Sequence, residues 1–252
     1  MSAALPQFPG GVGISALRVY PWETADGLCG GSPHMHLCCS ECYIVVGGTG
    51  RLQTLTAAAG LVESPLHTGD VVWFTPGTIH RAVNDGDLHV VVVMQNSGLP
   101  EAGDAVLTLP PAHLADRDTY RRATSLAGPD GVPSEERARA RRDLAIEGFA
   151  ELTRQLAAGN GAALDAFYAA ATELVRPQLG AWRARWEEGA AAMSSRTGEQ
   201  LAALAAGDHS HLLDAGVSRI EEPPAAVLGM CGFLTPYDPV RIGSVVPVGG
   251  AG

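Results

Sequence analysis

A chain of 252 residues with 17 Lys plus Arg against 27 Asp plus Glu, net charge −10, is long enough to bury a substantial core without disulfides. The acidic balance argues against a surface built for nucleic-acid phosphates. No apolar run reaches the length of a membrane span, and the start MSAALPQFPGGVG lacks the basic and apolar blocks of a signal peptide. A soluble cytoplasmic protein is expected, with no membrane partner, and an odd count of 5 cysteines suits a reducing compartment.

Residues 1–14 are broken by Pro and Gly, and a first strand is expected over Leu17–Tyr20. From there to about Asn96 short apolar segments alternate with turn signals such as Gly47-Gly48-Thr49-Gly50, Ala59-Gly60, Thr68-Gly69-Asp70 and Asn84-Asp85-Gly86-Asp87. That spacing describes an antiparallel sandwich or barrel. Within it, His34 and His36 in HMHLCCSECYIVVGG stand two apart, so on a strand both imidazoles leave the same face. Glu41 has the opposite parity and joins them only if the chain spends one odd residue on a bulge or turn between Leu37 and Ser40. A strand over Asp70–Phe74 then runs into the Pro76-Gly77 turn, and the next strand opens with His80. Three imidazoles and one carboxylate can thus converge from neighbouring strands and leave coordination positions free. By parity Tyr43 and Val45 continue the face of Glu41, and Gln53 shares a face with Leu55, which makes Tyr43 and Gln53 candidates for contact with a substrate. Arg81, next to a ligand, should face away; Trp73 is a core candidate. Cys29, Cys38, Cys39 and Cys42 crowd the same stretch but read as small buried hydrophobes.

After Ser97-Gly98-Leu99-Pro100 helix formers take over, from Pro110 to about Ala206. Ser134 can cap a helix with Glu135 and Glu136 in its first turn and a stripe of Ala145, Phe149, Leu152 and Leu156, stopped by Gly159-Asn160-Gly161. A second stripe runs Leu164, Phe167, Ala171, Leu174, Val175, and Pro177 forces a break. Trp182 and Trp186 lie four apart on the next face. The arginines at 137, 139, 141 and 142 suggest an anion site, but a solvated helix face beside Glu135, Glu136 and Asp143 is the preferred reading. From Pro223 the chain turns extended again and is expected to return to the barrel as an edge strand or to cross to a partner subunit.

The two ligand-bearing stretches resemble the motifs of the cupin superfamily. The first reads His34, one residue, His36, four residues, Glu41, six residues, Gly48; the second reads Gly69, then Thr75-Pro76-Gly77, His80 and Asn84. Leu28 stands where a glycine is expected and Thr75 where a proline is common. The resemblance covers roughly 15–98. It implies a mainly β fold with a cupin jelly-roll β-barrel over 15–105; outside the resemblance, the helix formers and the final extended text add an α-helical extension over 106–222 docked on the barrel and an extended segment over 223–252. It implies one divalent transition metal on His34, His36, Glu41 and His80, with Fe(II) or Mn(II) favoured and Ni, Zn, Co or Cu compatible. Glu41 can both ligate and take a substrate proton. The leading expectation is a dioxygenase-type oxygenase acting on a small-molecule substrate. The alternatives are a non-redox isomerase, epimerase or lyase, and a small-ligand-binding module without catalysis. A homodimer is expected, because the edges of a small barrel need covering.

Overall fold

The computed structural model describes residues 7–128 and 130–239. Its spine is a pair of long strands. β1 (Gly13–Val19) and β2 (His34–His36) come first, then β3 (Glu41–Thr56), β4 (Gly60–His67), β5 (Val71–Phe74) and β6 (Ile79–Met94). β3 and β6, 16 residues each, pair antiparallel over most of their length. The Gly-rich text at Gly47–Gly50, which reads as a turn, lies instead inside β3, where the register against β6 shifts at three places between Val45 and Gly50. Only glycine fits at one of them: Gly48 has φ +71°, and a Cβ there would lie 2.0 Å from Asp87 O. Asn84 closes the facing turn of β6, its Oδ1 accepting from the Gly86 and Leu88 amides and its Nδ2 donating to Val19 O.

β4 and β5 pair with β3 on its other edge, and β1 pairs with β6. β2 lies between β6 and β7 (Ala105–Leu107). The barrel interior is filled by alternate residues of these strands, among them Leu17, Val19, Tyr43, Val45, Val90 and Val92, all buried. Trp73 is not part of that core. It pairs with Cys42, whose neighbours Glu41 and Tyr43 point inward, so the Cys42–Trp73 face looks outward and Trp73 is 72% exposed.

Five helices follow among the described residues: α1 (Arg117–Thr124), α2 (Glu135–Ala157), α3 (Ala162–Val175), α4 (Leu179–Trp186) and α5 (Ala192–Ala205). Ser134 caps α2, its hydroxyl accepting from the Arg137 amide at 3.3 Å, and a 3₁₀ turn over Arg176–Gln178 marks the break at Pro177. The helices share one hydrophobic core with the barrel: Ala145, Phe149, Leu164, Phe167, Ala171 and Trp182 belong to the same cluster as Val90 and Leu107. Polar ties reinforce that docking. The Tyr168 hydroxyl donates to Gly77 O at 2.9 Å, Trp182 Nε1 donates to Ala102 O at 3.1 Å, and the Leu107 amide donates to the Tyr120 hydroxyl at 3.0 Å. Trp182 is therefore interior, while Trp186 remains 43% exposed. The chain ends its described course with β8 (Val227–Leu228) and β9 (Gly232–Tyr237), and β9 pairs antiparallel with β1 of its own chain, Leu234 opposite Leu17. A mainly β barrel followed by helices is the architecture that the sequence implies.

Two arginines of α2 depart from the solvated face that their spacing suggests. Arg142 is 1% exposed and Arg141 8%. Arg142 donates to Trp22 O and Glu23 O and pairs with Asp143, and Arg139 stacks over the Trp22 ring at 4.0 Å. The segment around Trp22 thus covers this side of α2 and takes the Arg142 guanidinium out of water, whereas Arg141 is held by Gly229 O. No helix among the described residues is long and apolar enough to cross a membrane.

Candidate metal centre

β2 carries His34 and His36, β3 opens with Glu41, and β6 carries His80 directly opposite His34. The parity problem between His36 and Glu41 is solved by the non-strand residues 37–40, which turn the chain so that all four side chains face inward. One ligand atom from each of His34, His36, Glu41 and His80 lies within 4.8 Å of the other three, and all four residues are buried. Glu41 Oε2 sits 3.2 Å from His36 Nε2 and 3.1 Å from His80 Nε2.

The hydrogen bonds say which ring nitrogens are free. His34 Nδ1 faces Ser32 O at 2.9 Å, His80 Nδ1 faces Thr78 O at 3.1 Å, and His36 Nδ1 faces Asp104 Oδ2 at 3.3 Å. Each of these partners only accepts, so each Nδ1 carries the proton and each Nε2 presents a lone pair. Glu41 Oε2 and His80 Nε2 are close yet make no well-directed hydrogen bond, and both are cut off from solvent. Buried lone pairs that meet without a proton between them are costly unless a cation lies among them. The donor set, imidazole nitrogens plus a carboxylate, suits a divalent transition ion.

Charge effects within the cluster hold His34 neutral and Glu41 ionised, and in the absence of a cation they give His36 a second proton, on Nε2, that a bound metal would displace. Burial, together with the neighbouring imidazoles His80 and His36, pushes His34 well below its usual value, which keeps the ring neutral. Burial opposes ionisation of Glu41, but His80 and His36 more than offset it and hold the carboxyl below the usual carboxylate range. For His36 burial is likewise outweighed, by Asp104 and Glu41, and the ring is pushed up to about 9.

Asp104 is the residue that sequence reasoning missed. It is fully buried, its Oδ1 accepts from the Leu37 and Cys38 amides at 3.2 and 2.7 Å, and its Oδ2 orients His36. Such outer partners fix ligand tautomer and direction. No spacing rule ties an aspartate in a Pro-Gly loop to a histidine 68 residues earlier, although α4 holds that loop in place through Trp182.

A cavity of about 280 Å³ opens onto His34, His36 and Glu41, and Tyr43, Arg141 and Cys231 are among its other lining residues. Tyr43 is placed as its parity predicts, with its hydroxyl buried and unpartnered. Gln53 is not. It pairs with Arg81, which faces away from His80, and its side chain is held by Glu63 at 2.6 Å, whereas Thr54 is the residue opposite His80. The shifts between Val45 and Gly50 break the alternation on which the assignment of Gln53 rested. Cys231 of the returning C-terminal segment lines the cavity, with Sγ 4.0 Å from His34 Nδ1. A larger hollow of about 880 Å³ between α2 and α3 holds no convergent ligand set among the described residues.

An antiparallel barrel with buried imidazoles and a carboxylate meeting inside it defines a class, that of barrels with an interior site able to take a metal. Residues 22–95 match the family model described as Cupin domain, so the barrel of this chain is a cupin domain. Among solved structures, similarity is found to an uncharacterized conserved protein with a double-stranded beta-helix domain from Klebsiella pneumoniae, at 18% identity over 34% of this chain and 65% of that one, TM-score 0.29. The capsular polysaccharide assembling protein CapF from Staphylococcus aureus is similar at 22% identity over 36% of this chain and 25% of its own, TM-score 0.30. A cupin protein from Bacteroides fragilis is similar at 20% identity over 34% and 65%, TM-score 0.26. The chain thus spans less than two thirds of each of these proteins. No curated protein matches the sequence.

Proposed function

We propose that the protein is a metal-dependent oxygenase acting on a small organic substrate, with a divalent ion held by His34, His36, Glu41 and His80. The observation that carries this reading is the set of three Nδ1 atoms each committed to an acceptor, which turns the imidazole lone pairs toward Glu41. His34, His36, Glu41 and His80 would hold the ion, which would supply Lewis-acid polarisation, and one-electron chemistry were it iron or manganese. Recovery of nickel, zinc, cobalt or copper from a preparation reflects the general affinity order and not the native metal.

The chain's own residues have definable tasks. Glu41, kept ionised by His80 and His36, is a carboxylate able to accept a substrate proton as well as to ligate. The Tyr43 hydroxyl, whose ionisation is suppressed by burial and by Glu41, stays protonated and can donate to a substrate oxygen in the cavity. Leu17, Val92 and Met94 line the same cavity with apolar surface and limit the water that reaches the centre.

The test begins with metal analysis of protein purified without chelators or nickel columns. His80→Ala is expected to lose most bound metal while the melting temperature stays within a few degrees of wild type. Unchanged metal content per chain would overturn the four-residue assignment. Oxygen uptake that depends on both metal and substrate supports the oxygenase reading; turnover without oxygen uptake replaces it with Lewis-acid isomerase, epimerase or lyase chemistry.

A further inference from the structure

Of the paired arginines on α2, Arg142 has clear structural work. It is 1% exposed, donates to Trp22 O and Glu23 O, and is balanced by the Asp143 carboxylate. Arg141, next to it, has almost none. It is 8% exposed, its one hydrogen bond among the described residues is from Nη2 to Gly229 O at 2.7 Å, and its Nε is buried with no partner among them. Its ionisable neighbours are Tyr20, Tyr120 and Cys231, none of them a carboxylate. A guanidinium does not escape the cost of burial by losing its proton, so a buried arginine ordinarily sits against an anion.

Arg141 lines the same cavity as His34, His36, Glu41 and Tyr43. The other acidic residue along that wall, Glu101, is exposed at the rim and is not paired with it. The cavity, about 280 Å³, is at the small end of the range for small-molecule sites, so one ligand can touch both the candidate metal cluster and the arginine. A guanidinium presents a planar fork that matches a carboxylate in two parallel hydrogen bonds.

We propose that Arg141 is the anion-binding end of this cavity, and that the substrate is a small acid with oxygen donors for the metal at one end and a second, distal carboxylate at the other. This rests on the reading that the four-residue cluster holds a metal. The helical region, which lies outside the matched residues 22–95, thereby supplies substrate selection to a barrel that supplies the ligands. Gly229 O, by anchoring Nη2, sets the direction of the fork.

The test uses the full chain loaded with Co(II), whose visible absorption reports occupation of open coordination positions. Hydroxy diacids, malate and 2-hydroxyglutarate, are titrated against the monoacids 2-hydroxybutyrate and 2-hydroxyvalerate, which share the chelating end and lack the distal carboxylate. In wild-type protein at least one diacid is expected to bind at least tenfold more tightly than its monoacid. Arg141→Gln should bring the two together, Arg141→Lys should keep part of the preference, and cobalt content and melting temperature should be unchanged in both. If wild-type protein holds cobalt but binds no diacid better than its monoacid, or if Arg141→Gln keeps the preference, the proposal is wrong. If wild-type protein holds no cobalt, it is the metal reading that fails. Should Arg141→Gln not fold, the wild-type comparison and Arg141→Lys still decide.

Discussion

Gly148→Ala sets two effects of opposite sign against each other in the middle of α2. Helix propensity alone favours alanine by about 1 kcal/mol. The structure opposes it, because a Cβ at Gly148 would lie 2.0 Å from Thr108 O, 2.7 Å from Leu109 C and 2.9 Å from Pro110 N. All three are backbone atoms of the segment leading out of β7, so relief requires α2 to move away from the barrel by roughly an ångström. That movement would also stretch the 2.8 Å hydrogen bond from the Thr108 hydroxyl to Ala145 O. Overpacking of this kind costs about 3 kcal/mol at the upper end of its usual range, and loss of the Thr108 bond adds about 1 kcal/mol. The net expectation is destabilisation by about 3 kcal/mol, which for a chain of this size lowers the melting temperature by roughly 6–12 °C. Gly198→Ala in α5, where a Cβ would meet nothing within 4 Å, is the control and should raise it by about 2–4 °C. Thermal melts followed by circular dichroism at matched concentration decide the matter. A rise in melting temperature for Gly148→Ala would refute the claim that α2 is pressed against the barrel backbone.

Asp104→Asn places an amide donor against His36 Nδ1 and disfavours the tautomer needed for an Nε2 lone pair, so affinity for zinc should fall about 10–100-fold in competition with a fluorescent chelator. Equal affinity in wild type and variant would show that Asp104 does not orient the ring. Asp26→Asn removes the carboxylate beside Arg81, which is buried; because Asp26 is itself about one third exposed, the cost at pH 7 is put at about 1–3 kcal/mol and not at the full value of a buried pair. Burial works against ionisation of Asp26, but the hydrogen bonds from Arg81 and Thr24 outweigh it and hold its carboxyl below the usual range. The stability difference should therefore be complete above about pH 4, the unfolded value, and should close as pH falls through the lower folded value. A difference that persists unchanged to pH 2 would contradict the ion pair.

The ligand cluster was legible because a two-residue spacing fixes a shared face whatever the rest of the chain does, and because the turn at Pro76-Gly77 announces the strand that carries His80. Parity failed further along. Tyr43 stands two residues from Glu41 with no irregularity between them, whereas Gln53 stands beyond three register shifts, and each inserted residue exchanges inside for outside. Trp73 was misjudged for a related reason: aromatic content says nothing about which face of β5 it occupies until its pairing with Cys42 is known. Arg141 was set aside with its neighbours as a solvated face, and Asp104 escaped the sequence, for another reason. Both are defined by elements distant in sequence, the one by Gly229, 88 residues later, and the other by His36, 68 residues earlier, and local charge patterns carry no trace of such encounters.

The pairing of β9 with β1 has a consequence for the order of events during synthesis. His80, the last of the four candidate ligands, leaves the ribosome some 150 residues before Cys231 and β9. At about 5–20 residues per second, that is an interval of roughly 8–30 s in which the ligands exist but the wall built by Leu228–Cys231 does not. During it β1 is an open sheet edge, available to any extended chain nearby. A metal captured in that window would meet a half-built cavity, whereas one captured after release would have to enter the finished one. Metal identity in a preparation should accordingly depend on when in the life of the chain the ion is supplied.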